Sequence, residues 1–169
     1  MGGAKGKSGA RGATRAARAL EKLGVGFTLL EYEIAAAPDE ETLGEAAAAA
    51  LGVPPETVFK TLIADGADGL LCAILPVTGS LSLKTLAAAA GTKRAAMADP
   101  AVAERVTGYV TGGISPLGQL RALPTFIDAS AADLALIHVS AGKRGLQLRL
   151  ESGDLIRATG AMVVDGLSV

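Results

Sequence analysis

Apolar and polar positions along this chain change period several times, and each change predicts an element. After Thr14, the residues Ala17, Leu20 and Leu23 recur at helical spacing, and Gly24 is placed to end that helix. Residues 27–34, FTLLEYEI, then read as a strand. Thr42-Leu43-Gly44-Glu45 has capping-box spacing ahead of an alanine run that closes at Leu51-Gly52, which predicts a helix stopped by Pro54-Pro55. Residues 58–64 and 70–77 are apolar runs joined by Asp65-Gly66-Ala67-Asp68-Gly69, the pattern of a β-hairpin. Ser82 suits the N-cap of a helix through Ala90 that Gly91 ends, and residues 94–97 form a short strand. Asp99-Pro100 is a helix start, cap followed by proline, for a helix running to about Thr107. Further on, 125–128, 137–140 and 146–150 read as strands around the basic turn 141–145. Residues 154–159 read as a helix ended by Gly160, and 162–164 as a last strand. Strands and helices interleave, hairpins occur among them, and no repeat period is visible.

One run escapes this description. Residues 107–118, TGYVTGGISPLG, are too rich in glycine for a stable helix and too interrupted for a central strand. Paired glycines expose backbone N–H groups and admit close approach, and Pro116 stiffens the end of the loop, so the run can hold an anion or a developing oxyanion on main-chain donors. The same residues would also serve as an ordinary tight connection. Lys60 is similarly double-edged. It stands alone in the apolar run Val58-Phe59-Lys60-Thr61-Leu62, where a lysine is by default solvated but can also present a single cation to a ligand.

Composition narrows the classes. At 169 residues, 50% hydrophobic and 20% charged, the chain suffices for one domain with a substantial core. Residues 1–13, with Lys5, Lys7 and Arg11 among glycines, are expected to be a flexible basic arm, and 14–169 a single domain. No apolar run reaches the roughly 18 residues of a membrane span, and the start has no apolar signal region, so a cytoplasmic protein without a membrane partner is expected. The lone Cys72 excludes an internal disulfide and sits in an apolar run, where a buried thiol is the ordinary reading. With one histidine, His138, neither a serine–histidine pair nor a multi-histidine metal site can be built except around that residue. There is no G-x-S-x-G elbow and no pair of carboxylates on a shared face; no metal or cofactor is expected. A net charge of −1 excludes a domain that binds nucleic acid through its overall charge. Any RNA contact must then be local, with Lys60, Lys84, Lys93, Arg94, Arg121, Lys143 and Arg144 as candidates, and DNA is not an expected partner.

Several segments together carry a resemblance: VFKTL at 58–62, LSLKTLAAAAG at 81–91, MADP at 97–100, ERVTGYVTGGISPLG at 104–118, LPTFID at 123–128 and VSAGKRGLQL at 139–148. In this order and spacing the chain resembles the YbaK-type deacylases of misacylated tRNA, relatives of the editing domain inserted in bacterial prolyl-tRNA synthetases. The resemblance implies an α/β domain whose mixed, partly antiparallel sheet curls into a barrel-like shape with helices around it. It implies hydrolysis of aminoacyl-tRNA, Cys-tRNA(Pro) first, without a protein nucleophile: the substrate thiol attacks its own ester carbonyl. By the same resemblance Lys60 holds the 3′-terminal adenosine or its phosphate with Thr61 beside it. Gly112 and Gly113 are catalytic, the N–H groups of residues 112–115 receiving the oxyanion. Tyr32, Ile114, Ser115, Pro116, Ser140 and Gln147 complete the pocket, and prolyl-tRNA synthetase is the expected transient partner. Gln147 departs from the family pattern, which has an aspartate there; a neutral amide replaces a carboxylate beside the substrate amine. Ala-tRNA(Pro) is therefore the alternative substrate, and a non-catalytic module that binds aminoacyl-tRNA ends or nucleotides is the alternative class.

Overall fold

The computed structural model describes residues 5–8, 14–34 and 40–169, and among them no helix is long and apolar enough to cross a membrane. The chain forms two sheets. In the first, the order is β1 (Lys5–Ser8), β2 (Thr28–Glu31), β8 (Leu146–Glu151), β7 (Leu136–Lys143), with every neighbouring pair antiparallel. In the second, the order is β5 (Ala95–Met97), β3 (Phe59–Gly66), β4 (Gly69–Pro76), β6 (Thr125–Asp128), β9 (Met162–Val164). There β3 pairs antiparallel with both β4 and β5, while β6 runs parallel to β4 and to β9. The sheet is thus mixed and partly antiparallel, as expected, but it is divided in two and not closed into a barrel. Among the described residues a single parallel bridge, Val58 to His138, joins the halves.

Burial follows the pattern of residues. β4 is apolar almost throughout and buried on both faces, as a strand covered on either side must be. One face contributes Cys72 and Ile74 to the main core with Phe59, Ile63, Ile127, Val139 and Leu148, which α1 (Arg15–Lys22) covers with Ala16, Ala17 and Leu20. The other face contributes Leu71, Ala73 and Leu75 to a second cluster, closed by Leu86 of α3 (Leu83–Ala90) and by Leu167. α2 (Glu40–Leu51) lies against the hairpin through Ala48, Val58 and Val77. Its Gly44 permits this approach, since a Cβ there would stand 2.2 Å from Val77 Cγ1. α4 (Pro100–Thr107) and α5 (Ser152–Thr159) complete the helices.

Three boundaries differ from the sequence reading. Lys5–Ser8, within the stretch expected to be an arm, pairs with β2; edge pairing uses only main-chain N–H and C=O groups, so no side-chain pattern announces it. The rest of residues 1–13 lie outside the described residues. α2 begins at Glu40, which places Thr42 inside the first turn and not at its cap; an acidic pair, Glu40-Glu41, is itself a helix-start signal. β2 stops at Glu31, so Tyr32 leaves the ladder, its N–H donating to Gly145 O at 3.0 Å.

Candidate active site

A cleft of about 440 Å³ opens between α2, β3, the start of α4 and the glycine loop. Seven of the residues singled out from sequence line it: Tyr32, Lys60, Thr61, Gly112, Ile114, Ser140 and Gln147. β3 supplies Lys60 and Thr61 as neighbours on a strand held between β4 and β5, and the register sets Gln147 of β8 opposite Ser140 of β7. Three buried polar atoms of residues that line it have no hydrogen-bond partner among the described residues, Thr61 Oγ1, Thr111 Oγ1 and Gln147 Oε1. Thr61 and Gln147 are only 8% and 7% exposed. Buried polar groups are rarely left unpaired, and three of them in one cleft mark a place built to receive a polar ligand.

The glycine loop is fixed from behind. Tyr109 is buried and its hydroxyl donates to Leu117 O at 2.6 Å, closing the loop on itself. Arg15 of α1 stacks 4.8 Å from the Tyr109 ring centroid and donates to Gly108 O at 2.7 Å and Gly118 O at 3.2 Å, so one guanidinium ties both ends. Glu104 of α4 accepts from the Thr111 N–H at 2.9 Å, and that bond holds its carboxyl below the usual range. Ser140 Oγ donates to Gly113 O at 3.0 Å and accepts from Gly142 N–H at 3.1 Å, so this serine orients the loop as well as lining the cleft. These partners were not legible as such: Arg15 meets carbonyls 93 and 103 positions away, and nothing local to α1 marks it.

Main-chain donors divide within the loop. The Gly113 N–H is taken by Val110 O at 2.9 Å, whereas the N–H groups of Gly112 and Ile114 form no hydrogen bond among the described residues. Gly113 itself turns away from the cleft, and so do the buried Ser115 and Pro116; Ser115 Oγ accepts the Leu117 N–H at 3.3 Å, and Ser115 O accepts from Gln119 Nε2 at 3.0 Å. Of the loop residues that line the cleft, Gly112, which has a φ of +89°, and Ile114 therefore carry the unengaged N–H groups, while the residues around them build the loop.

Candidate nucleophiles lie elsewhere. Cys72 is fully buried in the core, and burial pushes its thiol up to about 11. His138 is also buried; desolvation holds its imidazole below the ordinary value, and Nδ1 lies 3.2 Å from Thr57 Oγ1. Neither lines the cleft, and no cluster of three metal-ligating side chains exists among the described residues.

Comparison with known proteins places this architecture. The family described as aminoacyl-tRNA editing domain matches residues 37–158. A relative from Enterococcus faecalis, provisionally named Cys-tRNA(Pro)/Cys-tRNA(Cys) deacylase EbsC, is 37% identical over 147 residues, covering 86% of this chain and 88% of its own. The crystal structure of a protein provisionally described as a trans-editing enzyme for prolyl tRNA synthetase superposes with a TM-score of 0.78 at 25% identity, over 89% of this chain and 93% of that one. A protein described only as hypothetical superposes with a TM-score of 0.80 at 24% identity over 92% and 100% of the two chains, and shares the fold.

Proposed function

This chain belongs to the aminoacyl-tRNA editing domain family and is an aminoacyl-tRNA deacylase, and we propose that it removes cysteine from tRNA(Pro) in trans, with prolyl-tRNA synthetase presenting the substrate. An aminoacyl ester is already activated, so a catalyst gains most by holding its two ends and stabilising one oxyanion. The cleft supplies those means. Lys60 meets the terminal adenosine or its phosphate, with Thr61 Oγ1 beside it. The N–H groups of Gly112 and Ile114 face the ester carbonyl, and the Gln147 amide oxygen accepts from the α-ammonium.

The observation that carries the reading is the conjunction, in one cleft, of unpaired main-chain donors with three unpaired buried side-chain oxygens and a lysine, and with neither cysteine nor histidine in the lining. Such a site binds and polarises; its serine, Ser140, is engaged with Gly113 O and no histidine lines the cleft to activate it, which suits a substrate that carries its own nucleophile. The cysteinyl thiol attacks the ester carbonyl; the new C–S bond forms as the C–O bond to the ribose breaks, and the thiol proton ends on the departing ribose oxygen. Water then opens the cyclic thioester. The test is incubation of the pure protein with Cys-tRNA(Pro), Ala-tRNA(Pro) and Pro-tRNA(Pro). Rapid loss of cysteine with the other two esters spared is the expected result. Preference for alanine would move the specificity, and three intact esters would reduce the protein to a binding module.

A further inference from the structure

We propose that a second cleft, on the opposite side of the same glycine loop, binds backbone phosphates of the tRNA acceptor end. The identity of the RNA rests on the deacylase reading above. This cleft, about 470 Å³, is lined by Arg15 and Arg18 of α1, by Lys143 and Arg144 at the β7–β8 turn, and by Val110 and Gly113 of the loop, and among the described residues no carboxylate lines it. In a chain with 16 basic and 17 acidic residues, four cations converging on one concavity are a local positive field in a nearly balanced total charge.

Two of these cations are already held in position by neutral groups. Arg15 bonds the carbonyls of Gly108 and Gly118, and Arg144 Nη2 donates to Thr111 O at 3.2 Å. A carbonyl partner fixes a guanidinium without cancelling its charge, and each guanidinium retains further N–H donors for phosphate oxygens. Lys143 and Arg144 are exposed. Position selects the ligand. Gly112 lines the candidate active site and Gly113 lines the basic cleft, consecutive residues whose Cα atoms are about 3.8 Å apart. An acceptor end whose ester lies at Gly112 therefore has its neighbouring phosphates within reach of Lys143 and Arg144. Four cations spread across one open concavity match a run of phosphates better than a single small anion, and the substrate of the adjacent site carries such a run.

The experiment uses the full chain and two double variants of equal charge change: Arg18→Glu/Lys143→Glu in the cleft, and Lys84→Glu/Lys93→Glu, exposed positions in the first turn of α3 and just after its end, where a separate basic surface lies. Binding of uncharged tRNA(Pro) transcript is measured against salt. Losing two phosphate contacts should reduce the slope of log K against log[salt] by about two in the cleft variant and leave the α3 variant near wild type. In parallel, the cleft variant should raise KM for Cys-tRNA(Pro) while KM for the minimal ester 3′-O-cysteinyl adenosine stays at the wild-type value. Equal loss in both variants would assign the effect to bulk charge, and an unchanged cleft variant would remove the site; either overturns the proposal. Absence of hydrolysis by every form would overturn the deacylase reading, while the transcript-binding arm would still decide the cleft.

Discussion

Gly112 and Gly113 are adjacent, yet they do different work. The first offers an unengaged N–H to the cleft; the second spends its N–H on Val110 and its carbonyl on Ser140. A methyl group added at Gly112 would point at the Arg144 guanidinium, 2.7 Å from Nε, and would have to adopt a φ of +89°. It would not fill the cleft. Gly112→Ala is therefore expected to act by strain, turning the donor off the carbonyl, and displacing one aligned oxyanion donor costs roughly 100- to 1000-fold in rate. Adding Arg144→Ala removes the contact but not the φ requirement, so the double variant should stay slow in single turnover; recovered activity would trace the defect to Arg144 instead. Ser115→Ala loses one turn hydrogen bond, about 1 kcal/mol of stability, and should keep its rate, because the main chain is the donor. At this scale the sequence was informative about residues that interrupt a pattern: a lysine in an apolar run, glycines where no element fits. It was silent about Arg15, Tyr109 and Glu104, whose roles exist only through carbonyls and amides brought near by the fold.

Short apolar runs bounded by turn residues were legible, and β6 and β9 fall where those runs place them. Those defined by partners were not. β7 runs from Leu136 to Lys143, beyond the strand its apolar core suggests, because the ladder with β8 continues through a bulge between Ser140 and Lys143. His138 sits on this strand at the bridge that joins the two sheets, and its buried imidazole has a depressed pKa from desolvation. The unfolded chain then binds a proton at about pH 6.5 that the folded chain resists, so the stability held above that value is lost as pH falls below it. Melting temperature should drop between pH 7.5 and 5.5 in the wild type and drop less in His138→Gln, which cannot titrate. Parallel curves for the two proteins would show that His138 does not carry the effect.

For the whole molecule, the interleaving of strands and helices announced a mixed α/β domain, but not that the sheet would divide in two and meet at one bridge. That division is long-range: residue 58 leads into β3 of one sheet and residue 138 lies on β7 of the other, and no local pattern sets their contact. Its functional result is a cleft whose walls come from α2, β3, α4, β7, β8 and the glycine loop, with four cations gathered in a second cleft beside that loop. The central claim is that this cleft hydrolyses an aminoacyl ester by binding and polarising it. Single-turnover deacylation of Cys-tRNA(Pro) by wild type and by Lys60→Ala, with matching melting curves, tests it most directly. The account predicts fast release of cysteine by the wild type and loss of at least about 100-fold in the variant, the scale of an ester no longer held in its productive position. A folded Lys60→Ala protein that deacylates at the wild-type rate, or a wild type that leaves the ester intact, would contradict it.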